Sequence, residues 1–230
     1  MKPAALVLLG LLLATTTAFA AGQPVQLHAA DGVTIAATLY HAGGGAAPAV
    51  VLVHMFTRTK DDWRTFAERL QASGITALAI DLRGHGGSGG ASAPAPAMAL
   101  DVRAGIDFLA AQASVHGIGV VGASLGASAA LLAAADAALV RGVALLSPSS
   151  DYRGVRIEAA LRKFGNRPLL LVTSSEDPYA LRTVRAMMTD TTTARDQRVS
   201  PIAAHGSQLL DRDPDVATAL VDWLRRTLLS

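Results

Sequence analysis

The sequence predicts an α/β protein with a mostly parallel central sheet, helices on both faces and an antiparallel hairpin near its N-terminal end. Three observations carry this. Short apolar runs alternate with longer segments of helical period, as expected of parallel strands buried on both faces. A turn dipeptide, Asp31-Gly32, separates the first two extended segments. With 230 residues, 51% hydrophobic content and no low-complexity tract, the chain can build one well-buried core and is too short for two ordinary domains.

The first twenty residues stand apart. Lys2 supplies a positive start, residues 4–14 form a short apolar run, and Ala18-Phe19-Ala20 sets small residues around a cleavable bond. The apolar run is about half of the roughly 20 residues needed to span a bilayer, and no basic stop-transfer cluster follows. A secretory signal peptide over residues 1–20 is therefore expected, leaving one domain over 21–230 that is periplasmic or secreted, with no stable membrane anchor once the leader is cleaved.

Beyond the leader, residues 25–27 and 33–40 read as the two strands of the hairpin, and 41–48 as a Gly/Ala loop. Further strands are expected at 49–54, 75–80, 118–122, 140–146, 168–173 and 197–202. Helices are expected between them at 61–72, 97–113, 125–137, 157–164 and 180–188, with a last one at 214–228. That helix is the best marked. Asp213 can cap its free amides, Pro214 suits the first helical position, and Val216, Leu220, Trp223 and Leu224 recur on one face.

Parallel strands buried on both faces leave their carboxyl ends for chemistry. Four such ends stand out. In Gly122-Ala123-Ser124-Leu125-Gly126 a serine lies between two glycines where an apolar strand meets a small-residue helix, the setting of a nucleophile elbow. The five-residue pattern alone is weak, and its strand-turn-helix context gives it meaning. Serine needs a base, and the base needs an orienting carboxylate. Asp177 follows the run Leu169-Leu170-Leu171-Val172-Thr173, with Glu176 as an alternative acid and helix capping as a competing role for Asp177. His205 follows the last expected strand, beside Gly206, and is the expected base. The turn His54-Met55-Phe56 after the first central strand offers main-chain donors for an oxyanion.

Together, His54-Met55-Phe56, Asp81-Leu82-Arg83-Gly84-His85-Gly86-Gly87-Ser88, Gly122-Ala123-Ser124-Leu125-Gly126, Asp177 and His205-Gly206 resemble the α/β-hydrolase superfamily, over roughly residues 33–228. The short chain is most similar to its dienelactone-hydrolase-like and esterase branch. The resemblance implies a catalytic triad of Ser124, Asp177 and His205, with the backbone N–H groups of Phe56 and Leu125 forming the oxyanion hole and Met55 a second candidate. The chain departs from the common His-Gly pattern by carrying Met55 after His54. His54 and His85 are expected to shape turns, and Asp81 and Arg83 to stabilise a turn by ion pairing or backbone contact.

The implied reaction is cleavage of a carboxylic ester or related acyl bond through an acyl-enzyme. Acyl transfer to an alcohol by the same triad, and a catalytically inactive binding protein on the same fold, are the alternatives. Only about twenty residues separate the 140–146 and 168–173 strands, too few for a large lid. An open site is expected, shaped by Phe56, the 84–97 loop and residues 147–156 with Tyr152, and with Met55 as a further substrate contact, for a small-molecule acyl substrate. No cysteine is present, the formal net charge is +2, and the basic residues are scattered, so disulfides and a nucleic-acid partner are not expected. No metal-ligand spacing or dinucleotide fingerprint occurs, and no metal or cofactor is expected.

Overall fold

The computed structural model describes residues 21–43, 45–189 and 195–229; the expected leader over residues 1–20 lies outside them. Strands β1 (Gln23–His28) and β2 (Thr34–Tyr40) pair antiparallel, joined by the Asp31-Gly32 turn in which Gly32 takes φ 84°. Then come β3 (Ala47–Val53), β4 (Thr76–Ile80), β5 (Val115–Ala123), β6 (Val140–Leu146), a two-residue ribbon of β7 (Asp151–Tyr152) and β8 (Val155–Arg156), β9 (Leu169–Ser174) and β10 (Arg195–Ser200). The large sheet has eight strands in the order β1-β2-β4-β3-β5-β6-β9-β10. From β4 to β10 neighbouring strands are parallel, while β2 meets β4 antiparallel. This is the expected mostly parallel sheet with an antiparallel N-terminal hairpin.

The helices are α1 (Arg64–Ala72), α2 (Ala95–Ala110), α3 (Leu125–Ala135), α4 (Glu158–Phe164), α5 (Pro178–Thr189), α6 (Gln208–Arg212) and α7 (Pro214–Leu229). They cover both faces, which explains why the central strands lack polar alternation. Within β3, Ala49, Val51 and Val53 join the core against α2 and α3, whereas Val50 and Leu52 join the core against α1 and α7. The period of two survives inside an unbroken apolar run because each face has its own helices. Among the described residues no helix is long and apolar enough to cross a membrane.

Several boundaries differ from the sequence expectations. The expected 61–72 helix opens as a 3-10 turn over Lys60–Trp63, where the Thr59 side chain accepts the Asp61 N–H, and becomes α-helical only at Arg64. Helix α2 begins earlier than expected, straight after Pro94, whose fixed φ suits a helix start. The last strand lies two residues earlier than 197–202. Arg195 to Ser200 register with Leu169 to Ser174, and Pro201, which has no N–H to donate, follows the end of the ladder. Four of its six residues are exposed, so an edge strand of this kind leaves little hydrophobic signal. The β7–β8 ribbon and α6 were too short to show a period at all.

Asp213 caps α7 as expected: its Oδ1 accepts the N–H groups of Asp215 and Val216 at 3.1 and 3.4 Å. Its other oxygen accepts the Ser200 hydroxyl at 2.6 Å, tying the helix start to the end of β10. Val216, Leu220, Trp223 and Leu224 are all buried, so the apolar stripe faces the sheet.

Arg83 and Asp81 secure the loop beyond β4. The Arg83 guanidinium bonds Asp101 on α2 at 2.7 Å and Asp31 in the hairpin turn at 2.6 Å, and these partners hold its pKa above the usual arginine value. Asp81 is fully buried and accepts the backbone N–H groups of Lys60 at 2.7 Å and Gly87 at 2.9 Å. Both side chains therefore spend their bonding capacity on turn structure.

Candidate active site

At the end of β5, Ser124 holds φ 53° and ψ −115°, a backbone conformation that ordinary side chains rarely adopt. The two flanking glycines make it possible. A Cβ on Gly122 would lie 2.3 Å from the Gly126 carbonyl oxygen, and one on Gly126 would lie 2.4 Å from the His54 carbonyl oxygen. Their absence lets the start of α3 approach the end of β3. The Ser124 N–H donates to Leu146 O on β6 at 2.9 Å, so the turn is fixed from below while the hydroxyl points away from the sheet edge.

Ser124, His205 and Asp177 come from three separate strand ends and meet. Ser124 Oγ lies 2.9 Å from His205 Nε2, and His205 Nδ1 lies 2.6 Å from Asp177 Oδ2. Asp177 Oδ1 also accepts the Ala180 N–H at 3.2 Å. The carboxylate therefore caps α5 with one oxygen and orients the imidazole with the other, combining the two roles its sequence position suggested. Glu176 is exposed and contacts the neighbouring Ser175 hydroxyl instead. The His205 side chain is 48% exposed against 14% for Asp177, which leaves the imidazole open to solvent while the acid is largely shielded.

Two features that the sequence did not reveal position the His205 loop. Ser147, at φ 48° just after β6, accepts the Gly206 N–H on its buried hydroxyl at 3.0 Å. Gly206 itself has φ 59°, and a Cβ there would come within 2.8 Å of Met55 Sδ. Met55 is buried against this glycine and does not line the neighbouring cleft.

The other main-chain donors are placed by His54. Leu82 N–H donates to His54 Nε2 at 2.9 Å, so the ring proton sits on Nδ1, which donates to Met55 O at 2.8 Å. The ring thereby fixes the Met55–Phe56 peptide whose N–H was expected to face an oxyanion. Among the described residues neither the Phe56 N–H nor the Leu125 N–H donates a hydrogen bond to the protein. Leu125 is the first residue of α3, where amides lack intrahelical acceptors. Gly126 packs this helix start onto the strand that leads into Phe56.

Burial pushes the His54 imidazole down to about 4 from an ordinary 6.5, with a backbone bond and nearby charges as smaller influences. The fold therefore holds a neutral ring, whereas the unfolded chain takes up a proton below pH 6.5. The stabilisation is complete above that pH and fades as pH falls towards 4, a difference of about 3 kcal/mol. Urea unfolding at pH 7.5 and pH 4.5 should show a steeper acid loss in the wild type than in His54→Gln. Parallel losses would contradict this assignment.

Beside the two free amides lies a cavity of about 170 Å³ lined by Phe56, Ser92, Pro94, Ala95, Leu125, Tyr152, Arg153 and Val155, among others. The expected contributors Phe56 and Tyr152 are thus on its wall, as are residues of the 84–97 loop. The β7–β8 ribbon forms the far side and is tethered by Asp151 O, which accepts the Ser149 and Tyr179 hydroxyls at 2.6 and 3.0 Å.

The family model for serine aminopeptidase S33 hydrolases matches residues 45–188, more than half of the chain. The chain belongs to this family. The match takes in Ser124 and Asp177 and ends before His205. Solved structures with the same fold include an esterase of Pyrococcus furiosus, at 18% identity and TM-score 0.79, covering 91% of this chain and 92% of that one. A dienelactone hydrolase of Anabaena variabilis superposes at 21% identity and TM-score 0.75, covering 90% and 98%. The Est1E protein of Butyrivibrio proteoclasticus, solved with ferulic acid bound, superposes at 18% identity and TM-score 0.74, covering 88% and 99%. No curated protein sequence matches the chain. Family and fold together make it an α/β hydrolase.

Proposed function

We propose that this α/β hydrolase is an exported serine esterase, with Ser124 as nucleophile, His205 as general base and Asp177 as the orienting acid. The observation that carries this reading is the continuous relay from Ser124 Oγ to His205 at 2.9 Å and from His205 to Asp177 at 2.6 Å. The leader-like residues 1–20 support export.

The chemistry follows from the donors and acceptors. With Nδ1–H donated to Asp177, His205 Nε2 carries a lone pair and accepts the Ser124 proton as Oγ attacks the acyl carbon. Negative charge then forms on the carbonyl oxygen, which the Phe56 and Leu125 amides are placed to receive, and Asp177 stabilises the imidazolium. Collapse breaks the ester C–O bond, and the Nε2 proton goes to the departing alkoxide, leaving an acyl-serine and free alcohol. A water molecule then gives its proton to Nε2 and attacks the acyl carbon, releasing the acid and returning the proton to Ser124. The exposed edge of His205 gives water ready access to the acyl-serine, which favours hydrolysis over transfer to an alcohol.

The family name carries an aminopeptidase activity. An N-terminal ammonium would need an anionic anchor, yet among the described residues lining the cavity the one charged side chain is the cation Arg153. An ester fits this cleft better.

The cavity of about 170 Å³ is well below the roughly 300–1,000 Å³ of sites for drug-sized ligands. Across 4-nitrophenyl esters from acetate to dodecanoate, kcat/KM should peak at short acyl chains, without activation at a lipid interface. A preference for the longest chains, seen only above their aggregation limit, would overturn the short-acyl reading.

A further inference from the structure

The cleft beside Ser124 contains one feature that ester cleavage alone does not require. Its wall is apolar at Phe56, Pro94, Ala95, Leu125 and Val155, and among the described residues lining it Arg153 alone is charged. The Arg153 guanidinium carbon stands 5.0 Å from the centroid of Phe56 and 5.6 Å from that of Tyr152. Aromatic faces of this kind hold a guanidinium in place and leave its in-plane N–H groups free to bind an anion.

Among the described residues no carboxylate uses those donors. Arg153 forms no ion pair among the described residues, although the same ribbon carries an acid. Asp151 is engaged elsewhere: its Oδ1 accepts the Gly154 N–H at 2.8 Å, and its Oδ2 faces Arg156 Nε at 3.5 Å.

The backbone supplies an independent observation. Tyr152 pairs with Val155, so Arg153 and Gly154 form a two-residue hairpin turn, with φ values of 52° and 81°. Turns with two positive φ values favour Asn, Asp or Gly at the first position, because a longer side chain there strains the backbone. The sequence nevertheless places an arginine there, at the tip of a ribbon anchored through Ser149 and Tyr179 beside Asp177. Local turn chemistry opposes this residue, while the cleft gives its charge a use.

We propose that Arg153 selects anionic esters, binding a substrate carboxylate at the rim of the cleft while the scissile carbonyl sits at Ser124. The inference rests on the ester-cleaving reading above and names its substrate class. The carboxylate accepts two guanidinium N–H groups in bidentate fashion, and the short apolar link to the ester lies against Phe56, Leu125 and Val155.

The test uses two isosteric pairs that differ in charge. Monomethyl succinate against methyl 4-methylpentanoate places the carboxylate on the acyl side; acetoxyacetate against isobutyl acetate places it on the alcohol side. Wild-type kcat/KM should favour the anionic member of at least one pair, which identifies the side that the cleft receives. Arg153→Gln should lower that anionic-to-neutral ratio by about tenfold, Arg153→Lys should retain most of it, and Arg153→Glu should depress it further than Gln. The graded response to charge separates recognition from a structural role of the turn. Equal ratios in the wild type and Arg153→Gln for both pairs would overturn the inference while leaving ester cleavage intact. No cleavage of any of the four esters, with no labelling of Ser124 by a fluorophosphonate, would overturn the underlying reading and this inference with it.

Discussion

Replacing Ser124 with alanine should lower kcat/KM for 4-nitrophenyl acetate by about 10⁵-fold while the protein remains folded. The large loss follows from the geometry, since the hydroxyl is the group that His205 faces at 2.9 Å. The intact fold follows from what the substitution leaves alone. The Ser124 N–H still donates to Leu146 O, and the turn depends on the close approaches at Gly122 and Gly126 rather than on the hydroxyl. Alanine meets the same backbone strain as serine, so the thermal midpoint should move by only a few degrees. Activity within tenfold of wild type in a folded Ser124→Ala protein would assign the chemistry to another group.

Asp177→Asn should reduce kcat by about 10⁴-fold with little loss of stability. Asparagine keeps an oxygen that can accept the Ala180 N–H, so the cap of α5 survives. It loses the negative charge facing His205 Nδ1. The amide can instead present its NH₂ to that nitrogen, which then becomes an acceptor and places the ring proton on Nε2, where it cannot take a proton from Ser124. Asp177→Ala, by contrast, removes the cap as well and should cost about 1 kcal/mol of stability in addition to the activity. Comparing the two by thermal melts and steady-state kinetics separates the helix-capping oxygen from the imidazole-orienting one. Equal activity in Asp177→Asn and the wild type would remove Asp177 from the relay and return attention to Glu176.

Much of this architecture is legible from the chain because strands covered on both faces announce themselves. The runs at Val50–Val53, Val120–Val121 and Leu169–Val172 have no polar residue to interrupt them, and both helix layers explain why. The same logic directs attention to strand ends, where the structure brings Ser124, Asp177 and His205 within hydrogen-bond distance. The edge strand Arg195–Ser200 is harder to read because it buries little, and its start and end are set by pairing with β9 and by Pro201 rather than by hydrophobicity.

The finer parts of the site depend on contacts between residues distant in sequence. Nothing local to Ser147 shows that its hydroxyl will hold the Gly206 N–H, 59 positions away. The Leu82 N–H that sets the His54 tautomer is likewise invisible before the chain folds. Met55 lay in the turn where a substrate contact was expected, but it packs against Gly206 because that glycine leaves room for its sulfur. Arg153 lies within the 147–156 segment expected to shape the site, but its own role is not legible there, because a two-residue ribbon has no period and a surface arginine is ordinarily solvated. Its importance depends on the cleft that the fold builds around it.

Labelling with a fluorophosphonate, followed by mass mapping of the modified peptide, tests the central claim most directly. The wild type should take up one phosphonyl group on Ser124, and Ser124→Ala should take up none. His205→Ala should label far more slowly, because the hydroxyl has lost its base. A folded wild-type protein that remains unlabelled, or one modified at a residue other than Ser124, would contradict the account.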